Sequence, residues 1–281
     1  MMVARLPWRA LSAIGVIAGS TFATLDCRKR GRIDENLSAL GLTAGHAIRR
    51  ELWGQVARSY LEILWFAGRR PAATPPPVRV EGLDALHAAA RAGRGVLVAS
   101  AHLGSWELAS VTAAGRGIPV AVVARPMRIP SLERRLVAWR QRAGVRTFMR
   151  DQPGASVAAY RWLVRGGILG CMIDRAGGGR RLLVPFLGRG THVPLGPAML
   201  AHRAGSALAV GLTCREPDGA VAVRFRQVPS HRGDSPQTLA RAMAEAVEHE
   251  IRRTPEQWLW MYRSQPEFDH DETEGTERIP A

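Results

Sequence analysis

The stretch Val96-Leu97-Val98-Ala99-Ser100-Ala101-His102-Leu103-Gly104-Ser105-Trp106-Glu107 holds the transition on which the reading of the whole chain turns. Residues 96–100 are short, small or β-branched and of strand length, and a helical pattern over 106–114 starts a few residues later. Active sites of open α/β sheets gather where strands end and helices begin, which puts His102 in a favoured place. Glu107 follows five residues on. At roughly 100° per residue, a continuous helix would carry the two side chains to different faces. They meet only if His102 lies on the turn before the helix and Glu107 reaches back from its first turn. Gly104 permits that turn, and Ser105 is a candidate N-cap. A carboxylate bonded to one imidazole nitrogen fixes the tautomer and leaves the other to take a proton from a hydroxyl. GxSxG is absent and no cysteine is near, so the activated hydroxyl would belong to a substrate.

Outward from this segment, strand-like runs recur at 120–124, 145–149, 168–173, 182–186, 207–213 and 221–228. Helix-like runs alternate with them at 83–91, 131–142, 155–164, 197–204 and 236–252. The alternation predicts an α/β domain, a mixed sheet flanked by helices, over residues 78–266. A proline-rich linker over 71–77 precedes it, since Pro71 and Pro75-Pro76-Pro77 cannot sit in a helix. Before the linker, Ile48, Leu52, Val56, Tyr60 and Leu64 recur every four residues, the stripe of a helix packed on the next domain or facing a membrane.

Residues 11–25 are uncharged and mostly apolar, with Arg5 and Arg9 before them and Arg28, Lys29, Arg30 and Arg32 after. The run falls short of the roughly 20 residues of a spanning helix. A cleaved signal peptide and an ordinary core helix are alternatives. The cations on its far side favour a retained anchor, lying in the interface or only partly inserted, with the body on the cytoplasmic face. Residues 1–70 are thus expected to form an N-terminal helical membrane-anchoring segment.

The formal charge is +15, and a single lysine, Lys29, stands among 39 cations. A GC-rich genome and guanidinium recognition of phosphate both account for that bias. Residues 267–281 carry six acids and one arginine, which predicts a disordered acidic tail and leaves +20 on residues 1–266. Such a body is drawn to polyanions: nucleic acid, an anionic bilayer or an acidic carrier protein. Three widely spaced cysteines form no CxxC or Cys/His cluster, which argues against a disulfide framework or zinc site and fits a reducing compartment. His202, His231, His249 and His270 have no metal-ligand spacing, and no metal is expected. Trp258 and Trp260 read either as interface anchors or as packing.

His, four residues, then an acid resembles the glycerolipid and lysophospholipid acyltransferase superfamily. The chain is most similar to the bacterial late lipid A acyltransferases, the lauroyl/myristoyl transferase type, over nearly its whole length. The resemblance rests on Glu35-Asn36-Leu37, Val80-Glu81-Gly82-Leu83, the histidine block, Arg125-Pro126, Pro130-Ser131-Leu132-Glu133 and Met172-Ile173-Asp174. It continues through Val184-Pro185-Phe186-Leu187-Gly188, Leu195-Gly196-Pro197-Ala198-Met199-Leu200-Ala201 and Pro255-Glu256-Gln257-Trp258-Leu259-Trp260-Met261.

The resemblance implies transfer of a fatty acyl group from an acyl carrier protein or coenzyme A thioester to a hydroxyl of a membrane glycolipid, a lipid A precursor first. Another phosphoglycolipid, such as a phosphatidylinositol mannoside, is the alternative acceptor. It implies a site on the cytoplasmic face of the inner membrane and no cofactor beyond the acyl thioester. His102 would be the base and Glu107 its orienter. Arg125 and Asp174, each after a strand-like run, would be further polar members, the arginine for a phosphate or the oxyanion. Arg175 heads an Arg- and Gly-rich run that reads either as a loop meeting lipid phosphates or as a solvated connection. Ser105 stands where the family usually has Asn, Ile129-Pro130 where it has Asn-Pro, Arg175 where it has Gln, Tyr262 where it has His, and Ser264 where a bulky residue often follows Arg263. The Phe-Pro-Glu-Gly block of the glycerol-phosphate branch is missing. A non-catalytic basic membrane or nucleic-acid binder is the reading from another class. The joint presence of His102, Glu107, Arg125 and Asp174 argues for the enzyme, with no nucleic-acid partner expected.

Overall fold

The computed structural model describes residues 5–26, 29–43, 45–68, 77–91, 95–175 and 179–260. Three helices come first: α1 (Trp8–Leu25), α2 (Arg30–Ala39) and α3 (His46–Gly68). Strands and helices then alternate as β1 (Val78–Glu81), α4 (Leu83–Arg91), β2 (Val96–Ser100), α5 (Glu107–Ala114), β3 (Val120–Ala124), α6 (Pro130–Arg142), β4 (Val145–Met149), α7 (Ala155–Val164) and β5 (Ile168–Met172). The hairpin β6 (Arg181–Phe186) and β7 (Arg189–Pro194) follows, then α8 (Gly196–Ala204), β8 (Ala207–Arg215), β9 (Val221–Val228), α9 (Pro236–Arg253) and a 3-10 turn, Pro255–Gln257.

Seven strands form one mixed sheet in the order β1-β9-β8-β2-β5-β3-β4. Its pairs are parallel except β8–β9, and the hairpin β6–β7 stands apart. The central strands are buried throughout, with Leu97, Ala99, Leu169 and Val210 at most 1% exposed. Strands covered on both faces by helices read as continuous apolar runs, which is why β2, β3 and β8 were legible. The four-residue β1 and the polar Arg-Gly-Thr-His start of β7 gave no such signal.

Two features position the site. First, β2 and β5 pair in parallel with Ala99 opposite Cys171 and Ser100 opposite Met172. Ile173 N–H still donates to Ser100 O at 2.9 Å. Two residues beyond the ladder, His102 and Asp174 therefore emerge side by side. Second, β3 pairs with β5 only as far as Val122–Gly170, so the sheet opens beyond that point at its carboxyl edge.

The N-terminal helices share the core of the sheet: Ile33, Leu37 and Leu52 lie in one apolar cluster with Leu97, Ala99 and Ala101. In α3 the four-residue stripe drifts, because each step of four overshoots a turn by roughly 40°. Leu52 and Val56 are buried, but Tyr60 has turned out to 45% exposure, and Ser59, Glu62, Ile63 and Phe66 take over the inner face. Helix α1 lies on α3 through Leu11, Gly15 and Gly19. A Cβ on Gly19 would come within 2.3 Å of Trp53 and Gly54 backbone, so only glycine allows this approach. Residues 71–76 of the expected linker and the acidic tail lie outside the described residues.

Candidate active site

The chain leaves β2 at Ser100 and turns sharply at Leu103-Gly104 before α5 begins. Gly104 has φ +57°, and a Cβ there would sit 2.5 Å from Thr213 O, so this tight turn requires glycine. Three elements hold it. Thr213 Oγ1 on β8 donates to Leu103 O, and Ser59 Oγ on α3 donates to Gly104 O, both at 2.9 Å. After the last helix, Gln257 O accepts from Gly104 N–H at 3.2 Å, and Trp258 makes an antiparallel bridge to Leu103.

His102 Nδ1 lies 3.0 Å from Asp174 Oδ1 and 3.1 Å from Oδ2, while its backbone N–H donates to Oδ2 at 2.9 Å. Trp258 Nε1 donates to the same Oδ2, also at 2.9 Å. The Asp174 side chain is 1% exposed and that of His102 is 23% exposed. Burial alone would push the Asp174 carboxyl up, but the His102 charge and these hydrogen bonds outweigh it and hold it below the usual carboxylate value. An ionised Asp174 facing Nδ1 assigns that nitrogen its proton and leaves Nε2 as the acceptor. Trp106 meets the imidazole edge to face, with centroids 5.3 Å apart. The arrangement is that of a histidine base with a carboxylate behind it.

Glu107 does not take the place expected of it. It is the first residue of α5, and its carboxylate turns to Arg140 on α6, accepting from Nε at 2.8 Å and Nη2 at 2.5 Å. The Glu107 side chain is buried and that of Arg140 is 11% exposed. Burial opposes the Arg140 charge, yet the facing carboxylate raises its pKa above the ordinary arginine value. The expected His102–Glu107 contact is thus replaced by two separate ones, His102–Asp174 and Glu107–Arg140. The reason is geometric: a helix starting at Glu107 points that side chain outward to its neighbour helix, while the adjacent parallel strand presents a carboxylate at the level of His102. Ser105 is not the N-cap either. Trp106 occupies that position, and the buried Ser105 Oγ has no hydrogen-bond partner among the described residues.

Arg125 follows β3 on the far lip of the opening beyond Val122–Gly170 and is exposed. Its loop is tied by Glu133, whose Oε2 accepts from Met127 N–H at 2.6 Å. Arg175 comes directly after Asp174 and is also exposed. Both arginines stand at the carboxyl edge of the sheet, the edge from which His102 emerges. Residues 176–178 of the Gly-rich run lie outside the described residues. No group of three or more metal-ligating side chains occurs among the described residues.

Several residues that build the site gave no separate signal in the sequence. Arg215, at the end of β8, is 7% exposed and donates to both oxygens of Glu62, to Gln55 Oε1 and to Ser59 Oγ. Gln257 clamps the Arg215 backbone, accepting from its N–H at 2.7 Å and donating to its carbonyl at 2.9 Å. Trp258 and Trp260 are 3% and 2% exposed, so they are core residues and not interface anchors. The block spanning Gln257 to Trp260 was legible as a motif, but its contacts over 150 residues away were not.

Comparison with known proteins follows the same lines. The chain is 30% identical over 179 residues to a phosphatidylinositol mannoside acyltransferase of Mycolicibacterium smegmatis, covering 63% of this chain and 58% of that protein. It is 31% identical over 132 residues to a phosphatidylinositol mannoside acyltransferase of Mycobacterium tuberculosis, covering 46% of this chain and 42% of that one. The chain thus spans about half the length of the curated relatives it matches. Residues 1–264 match the description bacterial lipid A biosynthesis acyltransferase. With that match over nearly the full length, the chain belongs to the bacterial lipid A biosynthesis acyltransferase family.

Proposed function

We propose that the chain transfers a fatty acyl group from an acyl thioester, carried by acyl carrier protein or coenzyme A, to a hydroxyl of a membrane phosphoglycolipid. The observation that carries this reading is the His102–Asp174 pair, set on a strand-to-helix turn in a member of an acyltransferase family. His102 Nε2 takes the acceptor hydroxyl proton as the oxygen attacks the thioester carbonyl carbon. The tetrahedral intermediate collapses, the C–S bond breaks, and the imidazolium returns its proton to the leaving thiolate. Asp174 holds the imidazole and stabilises its charged form. Arg125 and Arg175 are the groups we assign to a lipid phosphate or the oxyanion. No metal or other cofactor takes part in these steps.

A lipid A precursor is the acceptor suggested by the family, and the similarity to two phosphatidylinositol mannoside acyltransferases favours a mannoside as the second candidate. We assign the body to the cytoplasmic face of the inner membrane, held by α1. That helix is long and apolar enough to cross a membrane, and Ile17 and Leu25 point outward at 68% and 72% exposure. The +20 body adds attraction to anionic lipid, about 1 kcal/mol per cation at the surface.

The test presents the purified full chain with acyl carrier protein and coenzyme A donors and, separately, each acceptor, and reads the acylated lipid by mass spectrometry. Product with one acceptor, lost on His102→Ala in a variant that still folds, is the expected result. Undiminished product from His102→Ala would refute the assignment.

A further inference from the structure

We propose that Trp258 is a positioning residue of this site: its indole N–H, given to Asp174 Oδ2, sets the plane of the carboxylate that orients His102. The proposal rests on the acyl-transfer reading above for its kinetic consequence, but not for its structural one. Packing alone does not require this contact. Any large aromatic would fill the space between Phe186 and Trp260, whose rings lie 6.3 and 4.8 Å from that of Trp258. What packing leaves unexplained is a polar edge aimed at the one buried carboxylate beside the histidine.

Oδ2 of Asp174 receives two fixed donors, His102 N–H and Trp258 Nε1–H, from two different segments of the chain. Two donors on one oxygen stop the carboxylate rotating, so its remaining lone pairs stay turned toward Nδ1. Trp258 is itself unable to swing away. Its backbone bridges Leu103, its N–H donates to Pro255 O at 3.3 Å, and the preceding Gln257 O holds Gly104. From the turn after β2 comes His102, Glu107 on α5 is taken by Arg140, and the buried Cys171 thiol on β5 is pushed up to about 12 and stays neutral. Arg175, next along the chain, is exposed.

Removing the indole N–H leaves a buried carboxylate with one donor fewer. It becomes more basic, so a proton shared between it and the imidazole is held more tightly. Trp258→Phe is therefore expected to move the acid limb of the rate profile to higher pH. It should lower kcat roughly 10- to 100-fold, the usual weight of a hydrogen bond to a charged group, with KM for both substrates little changed. Trp260→Phe is the packing control: its Nε1 donates to Pro255 O and not to Asp174, so the acid limb of the rate profile should stay in place. The decisive measurement is the pH-rate profile of the full chain, read beside an NMR pH series of the Trp258 indole proton in the unmutated protein. The indole resonance should shift over the same pH range as the acid limb. A flat indole resonance, or an unmoved acid limb in Trp258→Phe, overturns the proposal even if one variant folds poorly. Shifts seen in a protein that transfers no acyl group would overturn the reaction assigned above and leave the positioning role standing.

Discussion

At the scale of single residues, the chemistry depends on where two protons reside. Asp174 keeps Nδ1 of His102 protonated, so Asp174→Asn should leave the fold in place and select the wrong tautomer. Turnover should drop by a factor on the order of a thousand or more, measured with saturating substrates. The same carboxyl links the site to pH. Its folded value lies below the ordinary one, so its contribution to stability is complete above the unfolded value of about 3.9 and fades as pH falls through the lower folded value. Asp174→Asn should accordingly flatten the acid limb of an unfolding curve, followed by circular dichroism. Gly104 is the other residue on which the turn depends. Gly104→Ala adds a Cβ 2.5 Å from Thr213 O at φ +57°, and should cost about 2 kcal/mol or more in denaturant unfolding, with loss of activity.

Among elements, the instructive case is the α5–α6 contact. Glu107 stands at the position where a sequence motif invites a catalytic reading, and its carboxylate is spent on Arg140. Breaking a buried ion pair from one side strands the other charge, so Glu107→Gln or Arg140→Ala should each destabilise the protein by about 3–5 kcal/mol. Replacing both, Glu107→Leu with Arg140→Met, should recover most of that loss in thermal denaturation. If Glu107 acts only through Arg140, the double variant recovers turnover as well. Persistent inactivity of a stable double variant would restore a direct role to Glu107. The elements themselves were read nearly to the residue where one pattern dominated, as in β2, β3, β4, α4 and α7. They were missed where the strand was four residues long or polar, as in β1 and β7. The α3 stripe failed for a different reason: its buried face includes Gln55, Ser59 and Glu62, polar residues whose partner Arg215 lies over 150 residues away.

For the whole molecule, α1 adds an outward apolar face to a strongly basic body. Ile17→Glu together with Leu25→Glu should reduce co-sedimentation with anionic vesicles more than tenfold. Folding stability should change by no more than about 1 kcal/mol, since both side chains are exposed. Unchanged vesicle binding would remove α1 from the membrane contact. The sequence by itself determined the α/β class, most element boundaries and the turn that carries His102, because apolar periodicity and a glycine-bearing strand end are local signals. Only the tertiary structure decided which carboxylate stands behind the histidine. A partner 72 residues away is chosen by strand order and register, with β2 and β5 side by side and level at Ser100–Met172. Nothing in the spacing of one strand encodes its neighbour, so Glu107 looked nearest in sequence while Asp174 is nearest in space.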